Sequence, residues 1–131
     1  MPARQSVLVV DPQEETHEVL RAALGEQDVD VVVARDPAQG LALARQRSPN
    51  LIVLDLESDG PSAIVAGRLA AEAASRLTPL LVLGHGKCDW QRLAGCQPLA
   101  KPYHYAALIR KIEALLGEAA DAARRRDAKA A

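Results

Sequence analysis

Short, uninterrupted apolar runs alternate along this chain of 131 residues with longer segments that have helical spacing. A strand that is apolar at every position is buried on both faces, as in a parallel sheet covered by helices on both sides. The pattern therefore predicts an α/β fold with a five-stranded, parallel, doubly wound sheet in three α/β/α layers. The predicted strands are residues 7–10, 29–34, 51–56, 79–83 and 96–100.

Helical segments fill the intervals between these runs. The clearest helix start is Asp36-Pro37-Ala38-Gln39, where Asp caps, Pro occupies the first turn and Gln follows three residues after the cap. Crossover helices of this length suit right-handed parallel units. The other predicted helical segments are residues 11–25, 60–77, one or two turns within 84–95, and a long helix after Pro102.

Composition excludes several classes of function. Aromatic residues are only 2% of the chain, so it lacks the stacking platforms that bind single-stranded nucleic acid. A formal net charge of −1 gives no domain-wide basic surface, so we expect no direct nucleic-acid binding. No apolar run reaches membrane-spanning length and no signal-peptide core is present, so we expect no membrane partner and a cytoplasmic location.

Three chemically distinctive residues follow predicted strands. Asp11 ends the first strand, Asp55 lies near the end of the third, and Lys101 ends the fifth. Binding sites of doubly wound sheets lie at the carboxyl ends of strands. An aspartate after four apolar residues is costly to bury unless a cation or a hydrogen-bond donor meets it. If strands 1, 3 and 5 are neighbours, two carboxylates and one ammonium group converge.

Residues 5–117 resemble the receiver domain of two-component response regulators, which has a flavodoxin-like fold. The matching pieces are Val-Leu-Val-Val-Asp11, Asn-Leu-Ile-Val-Leu-Asp55, Pro-Leu-Leu-Val-Leu before Gly84, and Leu-Ala-Lys101-Pro102. The resemblance implies that Asp55 accepts a phosphoryl group from a histidine kinase and that Lys101 contacts its oxygens. It also implies Mg²⁺ held by Asp11, Asp55 and the backbone carbonyl of Glu57, a cis bond before Pro102, and signalling without enzymatic turnover.

The departures from the family pattern concentrate on metal binding and switching. Pro12 occupies the place of a second acid that normally ligates the metal, Gly84 that of a hydroxyl residue, and Pro98 that of an aromatic switch residue. The connection after Gly84 is also short. The resemblance therefore implies an atypical receiver with weakened Mg²⁺ binding and impaired or absent phosphorylation. An ordinary receiver, switched by a histidine kinase at Asp55, is the alternative.

A small flavodoxin-like enzyme that binds a nucleotide or another cofactor is a further alternative. It calls for a Gly-rich or Ser/Thr-rich phosphate loop after the first strand. The residues after Val10 are Asp-Pro-Gln-Glu-Glu, which are acidic and free of glycine. Because such a loop repels phosphate, the sequence disfavours this alternative.

The last helix carries an apolar stripe that passes Gly117. We divide the chain into a receiver-like domain, residues 1–117, and residues 118–131, which are either a helical extension or a frayed tail. A continuing stripe favours a homodimer through strand 5 and the last helices, alongside a histidine kinase or another signalling protein as partner. His17, among charged residues, is expected to be exposed.

Overall fold

The computed structural model describes residues 4–55, 61–84 and 95–130. Each predicted strand and each long helix is present in this part of the chain, with ends shifted by a few residues. The helical turns predicted within 84–95 fall largely outside the described residues. The elements are β1 (Ser6–Val10), α1 (Glu14–Gly25), β2 (Asp30–Ala34), α2 (Pro37–Arg47), β3 (Leu51–Asp55), α3 (Pro61–Ser75), β4 (Leu80–Leu83), β5 (Cys96–Leu99) and α4 (Tyr105–Ala130).

The five strands form one parallel sheet in the order β2-β1-β3-β4-β5. This confirms the predicted fold class. It corrects one detail, because β1 and β3 are neighbours but β4 separates β3 from β5. The central strands had to be apolar throughout, since helices cover both of their faces.

Two hydrophobic clusters lie on opposite faces of the sheet, and alternate strand residues divide between them. Val7 and Val9 point into the cluster with α1 and α4, whereas Leu8 and Val10 point into the cluster with α2 and α3. All four side chains are buried. The period of two along β1 therefore produces the three layers.

Helix α2 begins as its sequence predicts. The Asp36 side chain accepts a hydrogen bond from the backbone N–H of Gln39 at 2.8 Å, and Pro37 occupies the first turn. The Gln39 side chain in turn accepts one from the backbone N–H of Arg35 at 2.9 Å. These two bonds satisfy backbone donors that a helix start would otherwise leave without partners.

His17 contradicts its prediction. The side chain is 2% exposed, and no described group hydrogen-bonds its buried Nε2 atom. The reason is helical spacing, because His17 shares a face of α1 with the buried Leu20 and Leu24. Its charged sequence neighbours lie on the other faces of α1, so their charge does not predict whether His17 is buried.

Helix α4 continues through Gly117 to Ala130, so residues 118–130 are helical. We call these residues the α4 extension. A boundary between two domains at residue 117 stays a prediction. Among the described helices, none combines the length and the hydropathy needed to cross a membrane.

Two helical glycines should respond oppositely to replacement by alanine. A Cβ atom at Gly40 would lie 2.6 Å from Val10 Cγ2, whereas one at Gly117 would meet nothing within 4 Å. For Gly40→Ala we expect a net loss of about 1 kcal/mol, because overpacking costs about 1–3 kcal/mol and helix propensity returns about 1 kcal/mol. For Gly117→Ala we expect a gain of about 1 kcal/mol. Urea unfolding of both variants measures the difference, and equal shifts would contradict the close contact of α2 with β1.

Candidate functional site

Asp11 and Asp55 lie side by side at the carboxyl edge of the sheet. The register pairs Val10 of β1 with Leu54 of β3, so the next residue on each strand is an aspartate. Parallel strands are about 4.8 Å apart, which brings the two carboxylates close together. The backbone N–H of Asp11 also donates to the carbonyl of Ala34, at 3.0 Å, and extends the β1–β2 ladder by one bond.

The two oxygens of the Asp11 carboxylate have different surroundings. Oδ1 accepts a hydrogen bond of 2.8 Å from the backbone N–H of Gln13. Oδ2 is buried and has no hydrogen-bond partner in the described part of the chain. The residue as a whole is only 1% exposed. A buried carboxylate oxygen without a donor is costly, and a cation or a water molecule relieves that cost.

Asp55 forms an ion pair with Lys101. The Nζ atom of Lys101 donates to Asp55 Oδ1, and the side chains are 18% and 3% exposed, respectively. Lys101 comes from the end of β5 and reaches Asp55 past the end of β4. The residue after β4 is Gly84, which places no side chain between them. The Lys101–Pro102 peptide bond is cis, as the resemblance implies.

The donor set fits Mg²⁺ in part. The orphaned Asp11 Oδ2 and the neighbouring Asp55 carboxylate supply oxygens of the kind that Mg²⁺ prefers. The next residue, Pro12, offers no side-chain oxygen, and Glu14 is engaged by Arg35 at 3.5 Å. Within residues 4–55, 61–84 and 95–130, no group of three or more potential metal ligands converges. Glu57, the remaining predicted contributor, lies outside the described residues.

Tyr103 belongs to this site, although the sequence analysis did not select it. Its ring packs edge-on against Tyr105, with centroids 6.2 Å apart, and it adjoins the cluster under α1 and α4. Burial, followed by the negative charges of Asp11 and Asp55, raises the pKa of Tyr103 to about 12, against a smaller lowering by Lys101. Its phenol therefore stays protonated and able to donate. Its position two residues after Lys101 was the available signal.

The aromatic contact continues toward α1. Tyr105 begins α4, and its hydroxyl lies 3.5 Å from the Thr16 hydroxyl. Thr16 is buried on α1. The site formed by Asp11, Asp55 and Lys101, which we call the acidic pocket, is therefore connected through Tyr103 and Tyr105 to the contact between the first and last helices.

The pKa of Tyr103 predicts a loss of stability in strong base. In the folded protein this phenol holds its proton up to about pH 12, whereas in the unfolded chain it titrates near its ordinary value of 10.0. The folded state therefore binds more protons within this window, and the stability that Tyr103 contributes falls as the pH rises through it. Ultraviolet absorbance of phenolate should show a late step that Tyr103→Phe removes and Tyr105→Phe keeps. A late step that survives Tyr103→Phe would contradict the assignment.

The ion pair predicts strong coupling between Asp55 and Lys101. Lys101→Met should lower the free energy of unfolding by about 1–3 kcal/mol, because it leaves a buried carboxylate without this cation. The loss should be clearly smaller in an Asp55→Asn background. Urea unfolding of the four proteins gives the coupling energy. Equal losses in both backgrounds would show that the pair contributes nothing to stability.

Comparison with known proteins found relatives and shared folds, but no family model matches the chain. Transcriptional regulatory protein PrrA of Mycobacterium tuberculosis is 32% identical over 118 residues, covering 84% of this chain and 49% of PrrA. Protein PilH of Pseudomonas aeruginosa is 27% identical over 116 residues, covering 84% of this chain and 96% of PilH. The chain thus spans about half the length of PrrA and nearly all of PilH.

A solved structure shows the same fold. The signal receiver domain of a putative LuxO repressor protein from Vibrio parahaemolyticus superposes with a TM-score of 0.72 at 17% sequence identity. The superposition covers 89% of this chain and 93% of that one. Taken together with the carboxyl-edge aspartates and Lys101, these findings show that the chain has the fold of a receiver domain and is similar in sequence to response regulators, the signalling proteins of two-component systems.

Proposed function

We propose that this receiver domain acts as a protein-interaction module in signalling, without enzymatic turnover, and that its Mg²⁺-dependent phosphorylation at Asp55 is impaired or absent. One observation carries the proposal. The residue that follows the buried Asp11 is Pro12, so the edge of β1 supplies one carboxylate where two are expected. If Mg²⁺ binds, Asp11 and Asp55 hold it, with the backbone carbonyl of Glu57 as the third protein ligand. Bound there, the cation would neutralise negative charge on a phosphoryl group.

Two further positions lack side chains that would transmit phosphorylation of Asp55 from the site to the protein surface. Gly84 follows β4 and has no hydroxyl group with which to meet a phosphoryl oxygen. Pro98 lies on the edge strand β5, where it pairs with Val82 and cannot present an aromatic ring. Both residues bear on how a phosphorylated Asp55 would be sensed.

Ordinary phosphorylation remains the second candidate because a specific part of the apparatus is intact. Asp55 keeps its ion pair with Lys101, and Asp11 keeps a buried oxygen without a described donor. In this candidate, a carboxylate oxygen of Asp55 attacks the phosphorus of a phosphohistidine. The P–N bond breaks, the imidazole leaves with its electron pair, and an acyl phosphate forms beside Lys101.

The partner in this proposal is a histidine kinase or another signalling protein, and a second copy of the chain associates through β5 and α4. Strand β5 is at the edge of the sheet, so on one side it pairs with no other strand of the described residues. The regulation of transcription in the name of PrrA belongs to that protein, about half of which this chain matches.

Restoring the missing acid should restore metal binding. Pro12→Asp should tighten Mg²⁺ binding by at least about tenfold, since changes even in the outer shell of a metal site alter affinity by about 10–100-fold. Pro12→Ala is the matched control, because it removes the ring and adds no oxygen. Amide shifts in a nuclear magnetic resonance titration with Mg²⁺ measure the affinity.

A beryllofluoride titration of the chain without substitutions distinguishes the two candidate functions. We expect no saturable response of the amide shifts to beryllofluoride with Mg²⁺, and a response in Pro12→Asp that Asp55→Asn abolishes. A saturable, Mg²⁺-dependent response of the unmodified chain, lost in Asp55→Asn, would overturn the impaired candidate and support ordinary phosphorylation.

A further inference from the structure

A groove of about 620 Å³ lies at the amino edge of the sheet, opposite the acidic pocket. One wall is formed by the loops that precede β3, β4 and β5, including Pro49, Leu77 and Gly95. The other wall is α4, from Leu115 to Arg126. The apolar stripe of α4 therefore continues beyond the core and faces a gap where, among the described residues, no element packs.

The wall formed by the α4 extension has a symmetric pattern of charges. Glu118 and Arg126 stand at its two ends and Ala122 at its centre, with further alanines between them. Within the described residues neither Glu118 nor Arg126 forms an ion pair. They are about 12 Å apart along the helix axis, so they cannot pair with each other.

The charges of Glu118 and Arg126 match those of a second copy only when the two helices run antiparallel. An antiparallel second helix centred on Ala122 brings each Glu118 opposite the Arg126 of the other copy, twice in a two-fold dimer. A parallel helix would bring like charges together. The alanines at the centre allow two helix axes to approach closely.

Leu77 supplies an independent observation on the opposite wall. It is 66% exposed, and its φ of 59° lies in the left-handed region that disfavours a leucine. It follows the end of α3, a position where glycine or asparagine is usual. In the isolated chain, only about a third of this residue is buried, which gives little to offset its backbone conformation.

We propose that the groove binds the α4 extension of a second copy of the chain, antiparallel to its own, with Leu77 covered by the partner. The assignment rests on the homodimer of the proposed function, keeps its contact through α4, and replaces the contact through β5 with one at Leu77. It does not involve Asp55, so it stands or falls separately from the phosphorylation experiment. Because most of the contact is alanine, the dimer is weak, and its formation depends on protein concentration.

Charge reversal tests the direction of the helices. In sedimentation velocity over a concentration series, Glu118→Arg and Arg126→Glu should each raise the dimer dissociation constant by about tenfold, because two exposed pairs become like-charge contacts. The double variant Glu118→Arg/Arg126→Glu should restore the original value, since both pairs re-form with reversed sign. Glu113→Arg makes the same charge change at an exposed position outside the groove and should have no effect.

Leu77→Asn tests the opposite wall of the groove through two measurements, monomer stability and dimer affinity, which should not fall together. Asparagine tolerates the left-handed region, so the free energy of unfolding of the monomer should be unchanged or higher, while dimerisation weakens. Ile64, 65% exposed on α3 and not part of the groove, is the matched control, and Ile64→Asn should leave dimerisation unchanged. Circular dichroism verifies that every variant is folded.

Three results would overturn the proposal. The first is a monomer at every concentration. The second is a dimer that Glu118→Arg and Glu113→Arg affect equally, and the third is a dimer that the double charge reversal fails to restore. Each of these results leaves the phosphorylation candidates untouched.

Discussion

The register between β1 and β3 is the constraint on which the rest of this structure depends. It sets Val10 beside Leu54, and by one further residue Asp11 beside Asp55. A slip of one residue would turn the apolar side chains of a strand toward the wrong cluster, so the hydrophobic core fixes the place of the acids. The packing of the core therefore determines that the carboxylates of Asp11 and Asp55 lie next to each other.

Two buried carboxylates at one edge repel each other, and the structure offsets that repulsion in different ways. Asp55 has the ammonium group of Lys101, whereas Asp11 has one backbone N–H and a second oxygen without a described partner. A typical receiver relieves such an imbalance with a metal ion held by several acids. Here Pro12 follows Asp11 and offers no side-chain oxygen, so the described residues at this edge supply fewer ligands to a metal ion than that arrangement does.

Local sequence patterns predicted the fold well, because the continuous apolar runs indicate strands buried on both faces and the cap at Asp36 indicates the start of a helix. Their combination with the resemblance also identified Asp11, Asp55 and Lys101, which the structure brings to one edge of the sheet. The pattern did not reveal the burial of His17, since only its position on a helix face decides it. Nor did it reveal Tyr103, whose role depends on distances across the sheet, or that β4 separates β3 from β5. The roles of the pocket residues stay predictions, and Glu57 lies outside the described residues.

Helix α4 runs from the carboxyl edge of the sheet to the groove at the amino edge. It begins at Tyr105, in ring contact with Tyr103, and ends beyond the amino edge of the sheet at Ala130. Its 26 residues give it a length of about 39 Å. In a rigid helix of that length, a tilt of about 5° at the first turn would displace the far end by about 3 Å. Because Leu108, Ile112 and Leu115 are buried against the sheet, such a tilt would also have to shift these core contacts, and the core therefore holds the helix in its direction.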